Sequence, residues 1–251
     1  MKKWITFDLD GTLIENPFSK WVFPEIEKLV LENAAADHKV VRALVAEHKK
    51  RLAEHHYVDA YDWDDILERF LKEHDIHVNI DIEQLVLRFS VYPKVYLLEN
   101  DILDSLQNLI DKGYSLAAVT NGFYKYQFPV IKTLGLDTFF DEVITPCNTG
   151  YGKPDTRMVE KLLKQGDIIA HVGDRIDHDV YFANQLGAKS VLIDKNMPKK
   201  IKCIDPIKRN TQTEYIGTLD KNDTVQDTLD KRYVSDIIIH SIMELPKLTY
   251  Q

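Results

Sequence analysis

The sequence has few cysteines and no long uninterrupted apolar segment. Its two cysteines, Cys147 and Cys203, are too few for a disulfide framework and lack the spacing of a zinc site. We therefore expect a chain of the reducing cytoplasm. The apolar runs are only a few residues long, and the start of the sequence lacks the pattern of a signal peptide. No segment is predicted to cross a bilayer.

The sequence also lacks an excess of positive charge. Its 251 residues carry 32 Lys and Arg against 40 Asp and Glu, which gives a net charge of −8 at pH 7. Nucleic acids and anionic membranes require basic patches, so neither is predicted as a partner. A small anionic substrate is compatible with this charge, because a few local residues can override the global sign. The share of hydrophobic residues, 44%, is typical of a globular protein and argues against global disorder.

Short apolar runs alternate with longer helical stretches over most of the chain. Runs that are apolar at consecutive positions are typical of strands covered on both faces. Six are predicted as strands, at residues 4–7, 116–119, 142–144, 168–172, 190–193 and 233–234. Helical segments that end at a glycine, 102–112 and 179–186, separate several of them. Strands that alternate with helices predict an α/β fold, with a Rossmann-like doubly wound parallel sheet as its core.

Two segments depart from this alternation. Residues 15–92 have almost no β-like pattern, and their apolar residues recur at helical spacing. We predict that they form a smaller, all-helical cap domain inserted into a core of residues 1–14 and 93–251, with a proline near each junction. Residues 196–231 are rich in Lys, Asp, Thr and Asn, and are predicted to form an extended loop or a small excursion that is partly mobile.

The strongest chemical signal directly follows the first predicted strand, where residues 8–13 read DLDGTL. In an open parallel sheet, ligands bind beyond the carboxyl ends of the strands. Asp8 and Asp10 are two residues apart, so their side chains point the same way on an extended chain. Close carboxylates repel each other unless a cation or a shared proton compensates, and Mg²⁺ prefers oxygen ligands. The hexapeptide therefore predicts a Mg²⁺ site.

Three further polar clusters follow other predicted strands. Thr120 and Asn121 offer a hydroxyl and backbone amides that could hold phosphate oxygens. Lys153 lies in a loop beside a proline. Asp174 directly follows the fourth predicted strand, and Asp179 lies near the start of a helix, where its charge also favours the helix dipole. The turn at Thr120 and the loop at Lys153 are, taken alone, compatible with an ordinary surface turn.

In this order, and all at strand ends, the four clusters resemble the four motifs of the haloacid dehalogenase superfamily. The resemblance covers residues 1–14 and about 92–195, and extends to the end of the chain near 232–246. The helical insertion resembles the cap that follows the first motif in this family. Residues 123–155 are similar to the phosphatase-like branch, which contains nucleotidases and small phosphomonoesterases. The resemblance implies a phosphomonoester hydrolase that acts on a small phosphorylated metabolite.

The resemblance also implies roles for the first and fourth clusters. Asp8 would be the nucleophile that accepts the phosphoryl group, so that an aspartyl phosphate is the intermediate. Asp10 would be the general acid that protonates the leaving alkoxide, and then the base that activates water. Mg²⁺ would be bound by Asp8, the backbone carbonyl of Asp10, and Asp174.

The remaining clusters would bind and neutralise the phosphoryl group. Thr120 and the amide that follows it would hold phosphate oxygens, and Lys153 would neutralise charge on the nucleophile and the phosphoryl group. Asp179 would position the metal site and Lys153. Two residues depart from the family pattern: Arg175, where a small residue is common, and His178, where asparagine is common.

Four other functions are left open by the sequence. A haloacid dehalogenase would use the same fold but would not need the acid that Asp10 supplies. A phosphomutase would need cap groups that exclude water and reorient the intermediate. Chain length and the helical insertion disfavour an aspartate-phosphorylated signalling module. The presence of every expected catalytic residue type disfavours an idle binding protein. The physiological substrate and the oligomeric state are not predicted.

Overall fold

The computed structural model describes residues 1–34, 39–219 and 230–248. The strands in these ranges are β1 (Lys2–Phe7), β2 (Ile14–Glu15), β3 (Tyr96–Leu97), β4 (Ser115–Val119), β5 (Glu142–Ile144), β6 (Gly166–Gly173), β7 (Lys189–Ile193) and β8 (Ile237–Ile239). Six of them form one sheet in the order β5-β4-β1-β6-β7-β8, in which every neighbouring pair is parallel. This confirms the predicted Rossmann-like parallel sheet.

The order of the strands reverses at β1. The chain moves outwards from β1 through β4 to β5, and then returns to pair β6 with the other side of β1. Phe7, at the end of β1, therefore lies between Ala118 and Val172. Open α/β sheets bind ligands at such a switch point, because the loops there diverge and leave a crevice. Asp8 is the first residue beyond it.

The outermost strand lies further along the chain than the sequence predicted. Tyr233 ends a 3₁₀ turn, Lys231–Tyr233, and stacks on Tyr181 with the ring centroids 4.8 Å apart. The strand is instead β8, whose three isoleucines are buried. The predicted strand at 233–234 is therefore wrong, because an unbroken run of β-branched residues fits a strand covered on both faces better than a half-exposed tyrosine does.

The helices flank the sheet or fill the segment between β2 and β3. They are α1 (Phe23–Leu31), α2 (Val40–Ala53), α3 (Trp63–Glu73), α4 (Ile82–Phe89), α5 (Ile102–Asp111), α6 (Tyr124–Thr133), α7 (Pro146–Thr149), α8 (Glu160–Leu163), α9 (Tyr181–Leu186), α10 (Lys199–Lys202) and α11 (Thr213–Ile216). α5 and α9 end before Gly113 and Gly187, whose positive φ angles of 87° and 68° suit a helix end. No helix in the described ranges is long and apolar enough to span a bilayer.

The helices α1 to α4 have a hydrophobic core of their own. It is built by residues such as Ile26, Leu44 and Val86, and Tyr126 of α6 joins it from the side of the sheet. The chain enters and leaves this helical layer through the antiparallel pair of β2 and β3, in which Ile14 lies opposite Leu97. The layer is thus a packed unit that the chain enters and leaves through a two-stranded ribbon and that also packs against α6.

The described part of the segment after β7 is a small helical excursion. It contains α10, a 3₁₀ turn (Pro206–Thr211) and α11. Arg209 of that turn is 1% exposed, and its guanidinium donates to the carboxylate of Glu244 and to the carbonyl of Ile238 in β8. These bonds tie the excursion to the edge of the sheet. The predicted mobility falls partly on residues 220–229, which lie outside the described residues.

Candidate active site

The sheet brings every site residue predicted from the sequence to one edge. They line a cavity of about 180 Å³ at the carboxyl ends of β1, β4 and β6. The seven predicted residues in its wall are Asp8, Asp10, Thr120, Asn121, Lys153, Asp174 and Asp179. Tyr61, which belongs to the helical layer, completes the wall, so the cavity lies between the helical layer and the sheet.

A buried lysine joins two of the carboxylates. Nζ of Lys153 donates to Oδ1 of Asp8 at 2.7 Å and to Oδ1 of Asp179 at 2.6 Å, and the lysine is 2% exposed. Burial alone would lower the pKa of Lys153, but the charges of Asp179 and Asp8 outweigh it and raise this pKa. Burial also works against ionisation of Asp179, but Lys153 and His171 prevail and hold its pKa well below the usual range. Lys153 and Asp179 are therefore both charged.

His171 contacts Asp179, and Gly173 leaves space for its side chain. Nε2 of His171 lies 3.1 Å from Oδ1 of Asp179, and its Nδ1 lies 2.8 Å from the hydroxyl of Thr6. Gly173 ends β6, and a Cβ there would lie 2.1 Å from Cγ of Asp179. The sequence analysis missed His171, although a polar residue inside an otherwise apolar strand is a signal that could have found it.

Asp8 and Asp10 have different partners although they are two residues apart. Burial raises the pKa of Asp8, while the nearby cation of Lys153 opposes that rise. Asp10 has no cation bound to it among the described residues, and it accepts a hydrogen bond of 2.6 Å from the side-chain amide of Gln127. Desolvation, followed by the charge of Asp8, raises the pKa of Asp10 to about 6. Asp10 can therefore carry a proton near neutral pH, as an acid must.

The asparagine of the second cluster links two loops. The side chain of Asn121 donates to the carbonyl of Lys153 at 3.0 Å and accepts from the backbone N–H of Lys153 at 2.6 Å. This pair of bonds fixes the lysine loop against the turn after β4. Thr120 is buried beside it, and its hydroxyl accepts a bond of 3.2 Å from the backbone N–H of Gly122. The side chain of Asn121 thus has a structural role, because it joins the two loops. These two bonds do not involve the backbone amide of Asn121.

Three carboxylates could hold a metal ion. Oxygen atoms of Asp8, Asp174 and Asp179 lie within 4.8 Å of one another. Asp174 is exposed on its outer side, yet desolvation, followed by the charges of Asp8 and Asp179, raises its pKa to about 7. Because Asp179 is already paired with Lys153, the uncompensated negative charge lies on Asp8 and Asp174. This hard-oxygen set fits Mg²⁺.

The two residues that depart from the family pattern, Arg175 and His178, line the same cavity as this metal set. The backbone N–H of Arg175 donates to Oδ2 of Asp179 at 3.0 Å. Arg175 pairs with Asp177, with Nε 3.0 Å from Oδ1 and Nη2 2.5 Å from Oδ2. Burial, followed by the charge of Arg175, lowers the pKa of His178 to about 4, so this histidine is neutral at physiological pH. Its Nδ1 lies 3.4 Å from the side-chain nitrogen of Asn121. His178 therefore packs against the asparagine that links the loops.

A second cavity, of about 250 Å³, opens beside Asp10. Aromatic side chains from the helical layer, including Phe18 and Trp63, form one wall, and Gln127 and Tyr126 of α6 form another. Burial raises the pKa of Tyr61, which lines both cavities, to about 12, so its hydroxyl keeps its proton. Gln127 was missed by the sequence analysis, although a glutamine on the buried face of α6 is itself an unusual feature.

Comparison with known proteins places the chain in one family of hydrolases. A family model described as a haloacid dehalogenase-like hydrolase matches residues 2–187. A glyceraldehyde 3-phosphate phosphatase of Methanocaldococcus jannaschii is 35% identical over 39% of this chain and 44% of its own length. A ribulose-1,5-bisphosphate 5-phosphatase of Halopiger xanaduensis is 32% identical over 42% of this chain and 46% of its own. The chain thus spans less than half the length of the curated relatives that it matches first.

Solved structures resemble the whole chain. A phosphatase of Thermococcus onnurineus, described as a HAD phosphatase, is 25% identical with a TM-score of 0.65, and the match covers 98% of this chain and 97% of that one. The L-2-haloacid dehalogenase of Xanthobacter autotrophicus is 16% identical with a TM-score of 0.59, over 99% of this chain and 98% of that one. At that identity, the second likeness concerns the fold alone.

Proposed function

The chain belongs to the haloacid dehalogenase-like hydrolases, and we propose that it is a Mg²⁺-dependent phosphomonoesterase that works through an aspartyl phosphate on Asp8. The observation that carries this proposal is the contrast between Asp8 and Asp10. Asp8 is bonded to a buried lysine, whereas the pKa of Asp10 is raised to about 6 beside a neutral amide. One carboxylate is thus suited to attack and the other to donate a proton.

In the first step, an oxygen of Asp8 attacks the phosphorus atom of the substrate. The bond from phosphorus to the ester oxygen breaks, and Asp10 gives its proton to the departing alkoxide, so that a neutral alcohol leaves. Lys153 contacts Asp8 directly and neutralises charge that gathers on the phosphoryl oxygens. Thr120 and the backbone amide of Asn121 hold these oxygens in line with Asp8.

In the second step, water attacks the phosphorus atom of the aspartyl phosphate. Asp10, now ionised, takes a proton from that water, and the bond between phosphorus and Asp8 breaks. Inorganic phosphate leaves, and both carboxylates return to their starting states. The same residue thus serves as acid and then as base, which a pKa of about 6 permits near neutral pH.

Mg²⁺ would be held by Asp8, Asp174 and the backbone carbonyl of Asp10. When bound, it would neutralise the phosphoryl oxygens as a Lewis acid. Two features of this chain support the fit. Carboxylates outnumber the lysine that pairs with them, and Gly11 leaves room for Asp174, since a Cβ there would lie 2.6 Å from its Oδ2. The roles of Asp179 and His171 are to hold Lys153 in position.

The substrate is proposed to be a small phosphorylated metabolite, with residues 15–92 acting as a cap over it. Wall residues from the helical layer close the cavity beside Asp10, whose 250 Å³ suits a compact leaving group. The names of the relatives, a glyceraldehyde 3-phosphate phosphatase and a ribulose-1,5-bisphosphate 5-phosphatase, support this size class. The exposed free thiols of Cys147 and Cys203 support a reducing, cytoplasmic location.

The test is phosphate release from a panel of small phosphate esters and from p-nitrophenyl phosphate, with Mg²⁺ and with excess chelator. We expect steady turnover that requires Mg²⁺. Chloride release from 2-chloropropionate, measured on the same preparation, would indicate a dehalogenase instead. Isomerised phosphate esters without free phosphate would indicate a mutase. Phosphate release that persists in excess chelator would contradict the metal requirement.

A further inference from the structure

We propose that Gln127 is a positioning residue that directs the proton of Asp10 towards the leaving group. The proposal rests on the function proposed above. Gln127 lies in α6, on the face that packs against the sheet, and it is 4% exposed. Its Nε2 donates to Oδ2 of Asp10 at 2.6 Å, across 117 positions of sequence. A buried glutamine held this close to the general acid has a consequence for where the acid's proton can reside.

A carboxyl group carries its proton on one of two oxygens. The oxygen that accepts a hydrogen bond from an amide N–H must offer a lone pair, so the proton is favoured on the other oxygen. In Asp10 that other oxygen is Oδ1, which has no hydrogen-bond partner at normal distance within the described ranges, although the side chain of Asn16 also lies close enough to this carboxylate to lower its pKa. The amide of Gln127 therefore favours the proton on the oxygen that Gln127 does not contact.

The glutamine itself also has an unused acceptor. Its Oε1 is buried and has no partner within the described ranges. Buried polar atoms without a partner are uncommon in folded proteins. Asp10 and Gln127 each carry one such atom, and both residues line the aromatic cavity that we assign to the leaving group. A hydroxylated leaving group would satisfy both atoms, because its ester oxygen can accept from Asp10 and its hydroxyl can donate to Gln127.

The turn after β4 is shaped to admit this amide. A Cβ on Gly122 would lie 2.2 Å from Nε2 of Gln127, closer than any real contact. Only glycine at this position leaves the glutamine in reach of Asp10. Gly122→Ala therefore offers a second way to displace the amide, without altering the side chain of either Asp10 or Gln127.

Without the amide, the carboxyl group of Asp10 can rotate, and its proton is shared between both oxygens. Proton donation to the leaving oxygen then becomes less frequent and less well aligned. Misplacement of a catalytic group can reduce the rate by about tenfold to about a hundredfold. An alkoxide needs this proton, whereas p-nitrophenolate leaves readily without it. The loss should therefore depend on the leaving group.

The experiment compares kcat/KM for an alkyl phosphate and for p-nitrophenyl phosphate, because this ratio reports only the steps through transfer to Asp8. Gln127→Met removes the amide at similar volume. We expect a loss of about tenfold or more for the alkyl ester and less than about threefold for the aryl ester. The exposed Gln107, which donates to Asp111 at 2.8 Å, gives the matched control Gln107→Met, for which we expect no loss with either ester.

A double variant separates positioning from general damage. In an Asp10→Asn background, Gln127→Met should cause no further loss for the alkyl ester, because the proton that Gln127 directs is already gone. Equal losses for both esters in Gln127→Met, or an additive loss in the double variant, would overturn the proposal. If Gln127→Met does not fold, as judged by thermal melting, Gly122→Ala must show the same leaving-group dependence, and an equal loss there overturns it too. A wild-type protein without phosphate release from either ester refutes the phosphatase function itself, which is a distinguishable result.

Discussion

The metal-free protein should become more stable when Asp174 loses its charge. Asp174 lies within 4.8 Å of the carboxylates of Asp8 and Asp179, and its pKa rises from 3.8 to about 7. The folded state therefore binds this proton more tightly than the unfolded state does. Above about pH 7 the ionised Asp174 destabilises the fold, and this destabilisation decreases steadily as the pH falls from about 7 and is gone below about 3.8, where the group is protonated in both states. Asp174→Asn removes the charge at nearly constant shape.

The size of the effect follows from the shift of the pKa. One pKa unit corresponds to about 1.4 kcal/mol, so a rise of about three units would give about 4 kcal/mol. Asp174 is exposed on its outer side, and water screens its charge, so we expect about 1–2 kcal/mol instead. For a chain of this length, that corresponds to a Tm about 3–6 °C higher for Asp174→Asn than for wild type, in chelator at about pH 8. The difference should become smaller as the pH falls below about 7, and it should vanish only below about pH 3.8.

Magnesium should reverse this order. A ligand at a hundred times its Kd stabilises the folded state by about 2.7 kcal/mol, and wild type should gain this whereas Asp174→Asn should gain little. The assay is thermal denaturation of both proteins between about pH 4 and about pH 8, in chelator and in saturating Mg²⁺. Asp167→Asn, an exposed change at the opposite end of β6, is the matched control. If wild type equals or exceeds Asp174→Asn in chelator at about pH 8, the electrostatic argument is refuted.

Three further changes test the remaining parts of the site. Asp8→Asn should leave less than about 1% of wild-type kcat on p-nitrophenyl phosphate, and a folded variant that keeps more than a few per cent would contradict the nucleophile. Lys153→Met leaves the buried carboxylates of Asp8 and Asp179 without their lysine partner. Urea titration in chelator should then show a free energy of unfolding lower by about 3–5 kcal/mol, and a loss below about 1 kcal/mol would contradict the buried ion pairs. Ca²⁺ in place of Mg²⁺ should support little phosphate release, because it takes more ligands at longer distances, and equal rates with both ions would argue against a geometric role of the metal.

Much of the fold could be predicted because its strands are covered on both faces. Such strands must be apolar at consecutive positions, and β4 and β7 show this directly in the sequence. The ribbon of β2 and β3 could not be predicted, since two residues per strand carry no period. The placement of β8 failed for a related reason, because three isoleucines are too short a run to outweigh a nearby tyrosine.

The positions of the four polar clusters could be predicted because topology collects them. Parallel strands place their carboxyl ends at one edge, so residues that directly follow β1, β4 and β6 meet whatever their distance along the chain. His171 and Gln127 do not directly follow a strand, so the topology does not predict their place in the site. Each is a single polar residue inside an apolar pattern, and only the packed structure reveals that one bonds to Asp179 and the other to Asp10.

The roles that we propose for Asp8 and Asp10 depend on residues that lie far from them in sequence. Burial raises the pKa of both, so the difference between them comes from their partners. Lys153 gives Asp8 a cation, which favours the charged form that a nucleophile needs. On Asp10, desolvation and then the charge of Asp8 raise the pKa to about 6, although the hydrogen bonds from the neutral amides of Asn16 and Gln127 oppose this rise. A dehalogenase has no use for a protonated carboxyl group beside its nucleophile, because a halide leaves without a proton. A carboxyl group at Asp10 that can hold a proton, beside an Asp8 that is paired with a lysine, therefore supports the proposed phosphatase over a dehalogenase on this shared fold.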